Sequence, residues 1–333
     1  MPLSKEVVYH CARCHGVTAL STVEFGCVIH HPTGGQRGPR AVGHNPSAAP
    51  AMAIEGPSAL SPRTPWAERG RKSDGPEEAA MNKGLERQVA IVTGGSAGIG
   101  RAAVMAFAEA GSSVVVADRD VERGEAVAAE AEKTGADARF VATDVSDPAD
   151  VDRLVGTAMH EFGRVDAAFN NAGIEGGQAL TGASDLENWN QVIGINLTGV
   201  WLCMRAELEV MAAQGSGAIV NCSSVAGLVG FPGIGAYAAS KHGIVGLTQT
   251  AALEYAAGGI RVNAICPGVI ATEMIDRFTG GDPAALEQLE AAEPVGRLGT
   301  AAEVAAAVVW LCSDGASFIT GQALAVDGGF VAR

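Results

Sequence analysis

The chain has 333 residues, 47% of them hydrophobic, with 23 basic against 37 acidic side chains and a formal net charge of −14. That balance leaves no basic stripe to neutralise a nucleic-acid backbone, which argues against nucleic acid as a partner. No run of about eighteen apolar residues is present to span a membrane, and the opening "MPLSKEVVYH" lacks the apolar stretch of a secretory signal.

Composition changes near Met81. Residues 1–80 hold nine of the fourteen prolines and five of the seven histidines, in text such as "HPTGGQRGPRAVGHNPSAAP". Such text has no sustained helical or strand period and little apolar surface to offset chain entropy, so 1–80 reads as a disordered N-terminal extension. Residues 81–333, 333 − 80 = 253 in number, read as one domain with ample length for a single core. Within the extension, Cys11, Cys14 and His15 spell C-x-x-C-H, the attachment pattern of a c-type haem. Cys11, Cys14, Cys27 and His30 also spell C-x2-C-x12-C-x2-H, a spacing able to close a zinc site. The bland alternative is a cysteine cluster in a segment that does not fold. The missing export signal counts against haem, and "HGVTALSTVEFG" is a thin core to build around an ion, so no metal is expected. Cys203, Cys222, Cys266 and Cys312 stand singly in apolar surroundings, as reduced thiols of a cytoplasmic protein do.

From Gln88 onward short β-branched runs alternate with Ala-rich helical ones. "VAIVTGG" reads as a strand entering a glycine turn, and "GIGRAAVMAFAEAG" as a helix closed by Gly111. "SVVVAD", "ARFVATD", "VDAAFNNA", "AIVNCSS", "IRVNAICPG" and "ALAVDGG" supply six more strands, for seven in all. Strands apolar on both faces and separated by helices predict a doubly wound, Rossmann-type α/β domain with a parallel sheet. Ligands of such a sheet sit beyond the carboxyl ends of its strands.

Two signals there point to a dinucleotide. "TGGSAGIG", Thr93 to Gly100, lies at a strand-to-helix turn. Gly94, Gly98 and Gly100 let the backbone turn tightly and approach a pyrophosphate at the helix N-terminus, with Ser96 and Ile99 in the same turn. Glycines also mark turns that bind nothing. Asp118 speaks against that reading, because it ends the second strand eighteen residues after Gly100, where a carboxylate accepts hydrogen bonds from an adenosine ribose. A carboxylate there repels a 2′-phosphate, so NAD is expected ahead of NADP, although the guanidinium of Arg119 partly welcomes that phosphate.

"YAASK" sets Tyr237 and Lys241 four residues apart, on one face of a helix. A free tyrosine ionises near pH 10, too high for efficient proton exchange at neutrality, and a nearby ammonium favours its phenolate. Alone, the pair is equally a solvated helix face. Thirteen residues earlier "NCSSVAG" brings Ser224 to the end of a strand, "NNAG" (Asn170 to Gly173) ends another, and "INLTG" places Asn196 inside a helix. Together with "NAICPGVIATEM", these motifs in this order resemble the short-chain dehydrogenase/reductase family in its common form of about 250 residues, from about Leu85 to the closing "GQALAVDGGF".

The resemblance implies a role for each matching residue. Tyr237 is the general acid/base, Ser224 hydrogen-bonds the substrate oxygen, and Ser223 supports the strand end. Lys241 assists Tyr237 and contacts the nicotinamide ribose, while Asn196, in a locally opened helix, holds a water that links Lys241 to solvent. Asp144 and Val145 resemble adenine contacts, Asn171, Ala172 and Gly173 the lining of the cofactor cleft, and Pro267, Gly268, Ile270 and Thr272 the segment orienting the nicotinamide. The implied activity is hydride exchange between a nicotinamide cofactor and a secondary alcohol or ketone, in a homotetramer. An NADPH-dependent 3-oxoacyl-[acyl-carrier-protein] reductase is the enzymatic alternative, and a non-catalytic dinucleotide-sensing module the alternative of another class.

Substrate choice falls to "IEGGQALTGASD", "VAGLVGFPGIG" and the stretch from Glu273 to Leu298, with Val229, Phe231, Met274, Ile275 and Phe278 as candidate pocket residues. Each of these equally fits core packing or a subunit contact. Arg277 is the only base between Thr272 and Arg297, which offers little to a phosphate or carrier protein and suits a neutral secondary alcohol or ketone better, a cyclic or steroid-like one among them.

Overall fold

A computed structural model describes residues 84–333. The extension over 1–80, its haem and zinc patterns at Cys11, Cys14, His15, Cys27 and His30, and the boundary at Met81 lie outside the described residues.

The strands are β1 (Val89–Thr93), β2 (Ser113–Asp118), β3 (Ala138–Ala142), β4 (Ala167–Asn170), β5 (Gly217–Cys222), β6 (Ile260–Pro267) and β7 (Ala323–Val326). They form one seven-stranded sheet in the order β3-β2-β1-β4-β5-β6-β7, with every pairing parallel. This is the doubly wound sheet that the alternating pattern predicts. The reversal of strand order lies between β1 and β4, where Thr93 sits opposite both Ala117 and Asn170. Connections leave those two strands in opposite directions and open a crevice beyond their carboxyl ends.

Successive side chains of a strand point to opposite faces, so each strand feeds two cores. On β1, Ala90 and Val92 join one core with Phe107, while Ile91 joins the other with Leu154 and Met211. The first core lies under α1 (Gly98–Glu109), α2 (Val121–Glu132) and α9 (Ala301–Cys312). The second lies under α3 (Pro148–Phe162), α5 (Val200–Gln214) and α6 (Gly235–Tyr255), while the short α4 (Leu186–Val192) contributes no residue to it. Helix ends follow local chemistry. Asp147 caps α3 by accepting from the Ala149 amide ahead of Pro148, and Gly163 closes that helix at φ +74°. Thr300 and Glu303 form a reciprocal capping box on α9.

Two regions near the site depart from regular α-helix or loop. Ile193–Gly199, between α4 and α5, is wound as a π-helix, the opened turn expected around Asn196. The stretch after Thr272, to which the sequence assigns substrate choice, folds into α7 (Glu273–Thr279) and α8 (Pro283–Ala292). Asp282 accepts from the Ala284 amide at 3.0 Å and Pro283 starts α8, a start signal that the short, weakly amphipathic helix obscures. Cys203, Cys222, Cys266 and Cys312 are all buried and free. Among the described residues no helix is long and apolar enough to cross a membrane.

Candidate active site

The turn from β1 to α1 forms one wall of a cleft of about 520 Å³ beyond the switch point. Gly94 and Gly98 adopt φ of +64° and +52°, a region in which a side chain is strained. A Cβ on Gly94 would also lie 2.9 Å from the Ala172 Cα. Ala97 gives α1 no side-chain cap, so the first amides of that helix are free to meet an anion in the cleft that Ala97, Gly98 and Ile99 line. Asn171 braces the turn, its side-chain amide donating to the Thr93 and Gly94 carbonyls at 3.1 and 3.2 Å.

At the far end of the cleft the Asp118 carboxylate accepts the amides of Ser96 at 3.1 Å and Asp120 at 3.0 Å, which fixes its direction. Arg119 lies 3.6 Å from Asp144, and Arg123 bonds both Asp120 and Glu273, so the two guanidiniums beside Asp118 already face carboxylates. The cradle of small residues, the uncapped helix and the carboxylate at the end of β2 fit a dinucleotide, with room for it along the cleft.

A second pocket, of about 230 Å³, shares Ile99, Asn171, Gly173 and Thr272 with the cleft. Ser224, Tyr237 and Lys241 line it. Lys241 is 3% exposed, and its Nζ donates to the Cys222 carbonyl at 2.8 Å and lies 5.4 Å from the centre of the Tyr237 ring. Ser223 Oγ donates to the Lys241 carbonyl at 2.9 Å, tying α6 to the end of β5. Ser224 Oγ accepts the Ala226 amide at 3.1 Å, which orients the hydroxyl. Burial pushes the Cys222 thiol up, so it faces the pocket as a neutral group.

Most of the expected residues therefore come together. Gly94, Gly98, Ile99, Asp118, Asp144 and Val145 line the cleft, as do Asn171, Ala172, Gly173 and Thr272. Pro267, Gly268 and Ile270 line the adjoining pocket. Three do not reach either space. Ser96 is buried and engages Asp118 through its backbone, and Gly100 is buried where a Cβ would run into the Gly94 carbonyl, so its smallness serves packing of the turn. Asn196 is fully buried, its Oδ1 accepting the Ile174 amide at 2.8 Å and its Nδ2 donating to the Ile174 carbonyl at 2.9 Å and to Ser240 Oγ at 3.3 Å. Three of the four hydrogen-bonding positions of its side-chain amide are thus used within the protein.

Of the candidate pocket residues, Phe231, Met274, Ile275 and Phe278 line the pocket, whereas Val229 is 37% exposed and does not. Sequence reasoning missed the braces that set α7 over the site. Arg123 reaches Glu273 at its start, Arg277 Nε bonds Glu175 Oε1 at 2.8 Å, and Gln178 donates to the Phe278 carbonyl at 3.4 Å. Burial alone would raise the Glu175 carboxyl, but the hydrogen bond and charge of Arg277 hold it below its ordinary value. The lone base at position 277 was the available signal, though nothing local identified its partner.

A family model described as "Enoyl-(Acyl carrier protein) reductase" matches residues 94–331. The chain is 45% identical over 250 residues to the 2,5-dichloro-2,5-cyclohexadiene-1,4-diol dehydrogenase of Sphingobium indicum, covering 74% of this chain and 98% of that protein. It is 40% identical over 256 residues to the cyclohexanol dehydrogenase of an Acinetobacter species, covering 77% of this chain and 100% of the relative. The crystal structure of levodione reductase superposes with a TM-score of 0.73 at 40% identity, over 74% of this chain and 99% of the other. With the parallel sheet, the glycine cradle and these matches, the chain belongs to the short-chain dehydrogenase/reductase family of nicotinamide-dependent oxidoreductases acting on alcohol and ketone groups.

Proposed function

We propose that the protein interconverts a neutral, cyclic secondary alcohol and its ketone with NAD, Tyr237 being the proton-exchanging group. The observation that carries this reading is the convergence of Ser224, Tyr237 and Lys241 on one small pocket that adjoins the dinucleotide cleft. When bound, the cofactor supplies or accepts the hydride. Tyr237 Oη takes the hydroxyl proton in oxidation and returns it to the carbonyl oxygen in reduction. Ser224 Oγ hydrogen-bonds the same oxygen and stabilises charge as it develops there. The Lys241 ammonium, anchored by the Cys222 carbonyl, stabilises negative charge on the Tyr237 oxygen and reaches toward the cofactor ribose. Positioned proton transfer of this kind contributes about 10²–10⁴-fold. Asn196, in the opened π turn, is the residue assigned to hold the water that links Lys241 to solvent.

Gly94, Gly98, Ile99 and the open end of α1 would hold the pyrophosphate, Asp144 and Val145 the adenine, and Asn171, Ala172, Gly173, Pro267, Gly268, Ile270 and Thr272 the nicotinamide half. Asp118 supports NAD over NADP as a fixed negative charge where a 2′-phosphate would sit. The pairing of Arg119 and Arg123 with carboxylates supports the same choice and weighs against an acyl-carrier substrate, whose acidic surface needs free bases. The apolar surface left by Leu186, Trp189, Trp201 and Leu253 on α4, α5 and α6 supports a homotetramer. Light scattering tests it, and a monomer at micromolar concentration refutes it.

The deciding experiment is a panel of secondary alcohols and ketones assayed with NAD and with NADP by absorbance of the reduced cofactor. Turnover of ring alcohols with NAD is expected. Dinucleotide binding without turnover of any alcohol or ketone would establish the sensing module instead. A chain begun at Met81 is expected to fold and turn over substrate like the full chain. Loss of activity on that truncation, with stoichiometric zinc or covalent haem in the full chain, would refute the boundary.

A further inference from the structure

We propose that Glu175 is a specificity-determining residue that accepts a hydrogen bond from a second hydroxyl of the substrate, so that the preferred substrate is a neutral cyclic diol or the matching hydroxyketone. The proposal rests on the alcohol–ketone reading of the pocket and adds what the pocket selects. Its wall is largely apolar, with Val225, Ala226, Phe231, Ile234, Ile275 and Phe278 among its residues. Ser224 and Tyr237 mark where the reacting oxygen binds. Glu175 is the only carboxylate on that wall among the described residues.

Glu175 is fixed at both ends. Asn196 clamps the amide and carbonyl of the preceding residue, Ile174, at 2.8 and 2.9 Å, so the chain enters Glu175 from a buried anchor. Arg277 holds the carboxylate head through Nε at 2.8 Å and Nη2 at 3.4 Å. The side chain is 23% exposed, so the group is partly shielded from water. A carboxylate has about four acceptor sites on its two oxygens, of which Arg277 uses one on each and the Glu175 amide a further one. What remains is a positioned acceptor without a proton to give, set in an apolar wall. It suits a hydroxyl and repels a carboxylate or a lone carbonyl oxygen.

In the oxidation direction the hydride leaves the carbinol carbon for the cofactor and the hydroxyl proton passes to Tyr237. The product is a hydroxyketone whose second hydroxyl is unchanged and still donates to Glu175. A polar site that recognises a hydroxyl discriminates strongly against an analogue without it, because the site group then loses its partner. Partial exposure of Glu175 reduces that to roughly tenfold or more in kcat/KM.

The test compares wild type, Glu175→Gln and Glu175→Ala with NAD on three probes: cyclohexanol, cyclohexanediol and hydroxycyclohexanecarboxylate. Cofactor affinity is measured in parallel by tryptophan fluorescence to establish that each variant is folded. The expected result is a diol-to-cyclohexanol ratio of kcat/KM of about ten or more in wild type, lower in Glu175→Gln and near one in Glu175→Ala. Turnover of the carboxylate should rise in both variants. If Glu175 only braces α7 through Arg277, both alcohols fall together and the ratio is unchanged, which overturns the proposal. Cofactor binding by wild type without turnover of any probe refutes the ring-alcohol reading itself, and the selectivity with it.

Discussion

Replacing Glu207 by Gln should alter how the stability of the protein depends on pH. Glu207, on α5, is fully buried beneath β4 and β5. Asn170 Nδ2 donates to its Oε2 at 2.9 Å and to Asn221 Oδ1 at 3.1 Å, and Asn221 in turn donates to Thr248 Oγ1 at 3.0 Å. Glu207 Oε1 and Asn170 Oδ1 have no partner, and both are acceptors when the carboxyl is ionised. A proton on Glu207 converts one of them to a donor. Burial pushes this carboxyl from 4.5 up to about 7, against the opposing hydrogen bond from Asn170. Because the folded value is the higher one, the native state holds a proton that the unfolded chain has shed between those pH values. Stability contributed by this group is complete below about pH 4.5, is lost as pH rises toward about 7, and then levels off. At ~1.4 kcal/mol per pH unit the loss amounts to about 3 kcal/mol. Gln cannot titrate, and its amide supplies a permanent donor. Urea unfolding of both proteins at several values from about pH 5 to about pH 8, at one protein concentration, gives the difference in stability directly. The variant should gain on the wild type by roughly 2–3 kcal/mol between about pH 5 and about pH 8, part of the loss being already complete at pH 5. Cys203 lies one helical turn away, but burial pushes its thiol well above its usual range, so it does not titrate in this window. A difference that stays constant with pH would refute the reasoning.

Tyr237→Phe should lower kcat by about 10²-fold or more and leave cofactor affinity intact, since only the proton-exchanging hydroxyl is lost. Near-normal kcat would exclude the mechanism. Lys241→Ala should damage both kcat and cofactor affinity, measured by steady-state kinetics and fluorescence titration, because one ammonium serves Tyr237 and the ribose. Asp118→Asn should narrow the NAD preference in kcat/KM by about tenfold or more, which is ~1.4 kcal/mol of removed repulsion. A wild-type preference for NADP would show that Asp118 is wrongly placed. Gly100→Ala, although alanine normally favours a helix, should cost about 1–3 kcal/mol by overpacking. The new Cβ would meet the Gly94 carbonyl, and a urea midpoint equal to that of wild type would refute that contact.

What the sequence by itself determined is what local pattern encodes. The seven strands were legible because a strand buried on both faces must be a short apolar run, and the helices between them oblige the strands to be parallel. The glycine turn from Thr93 to Gly100 was legible because only glycine tolerates positive φ and backbone contact there. Tyr237 and Lys241 were legible because a spacing of four puts two side chains on one helical face. The tertiary structure decided everything that depends on which distant segments meet. Asn196 turned inward to grip Ile174, twenty-two residues away. Glu175 found Arg277 across 102 residues, and Asn170 found Glu207 across thirty-seven. Periodicity and turn chemistry report the conformation of a few neighbouring residues. Pairings such as these are fixed by strand order and by the paths of the connections, which no short window of sequence contains.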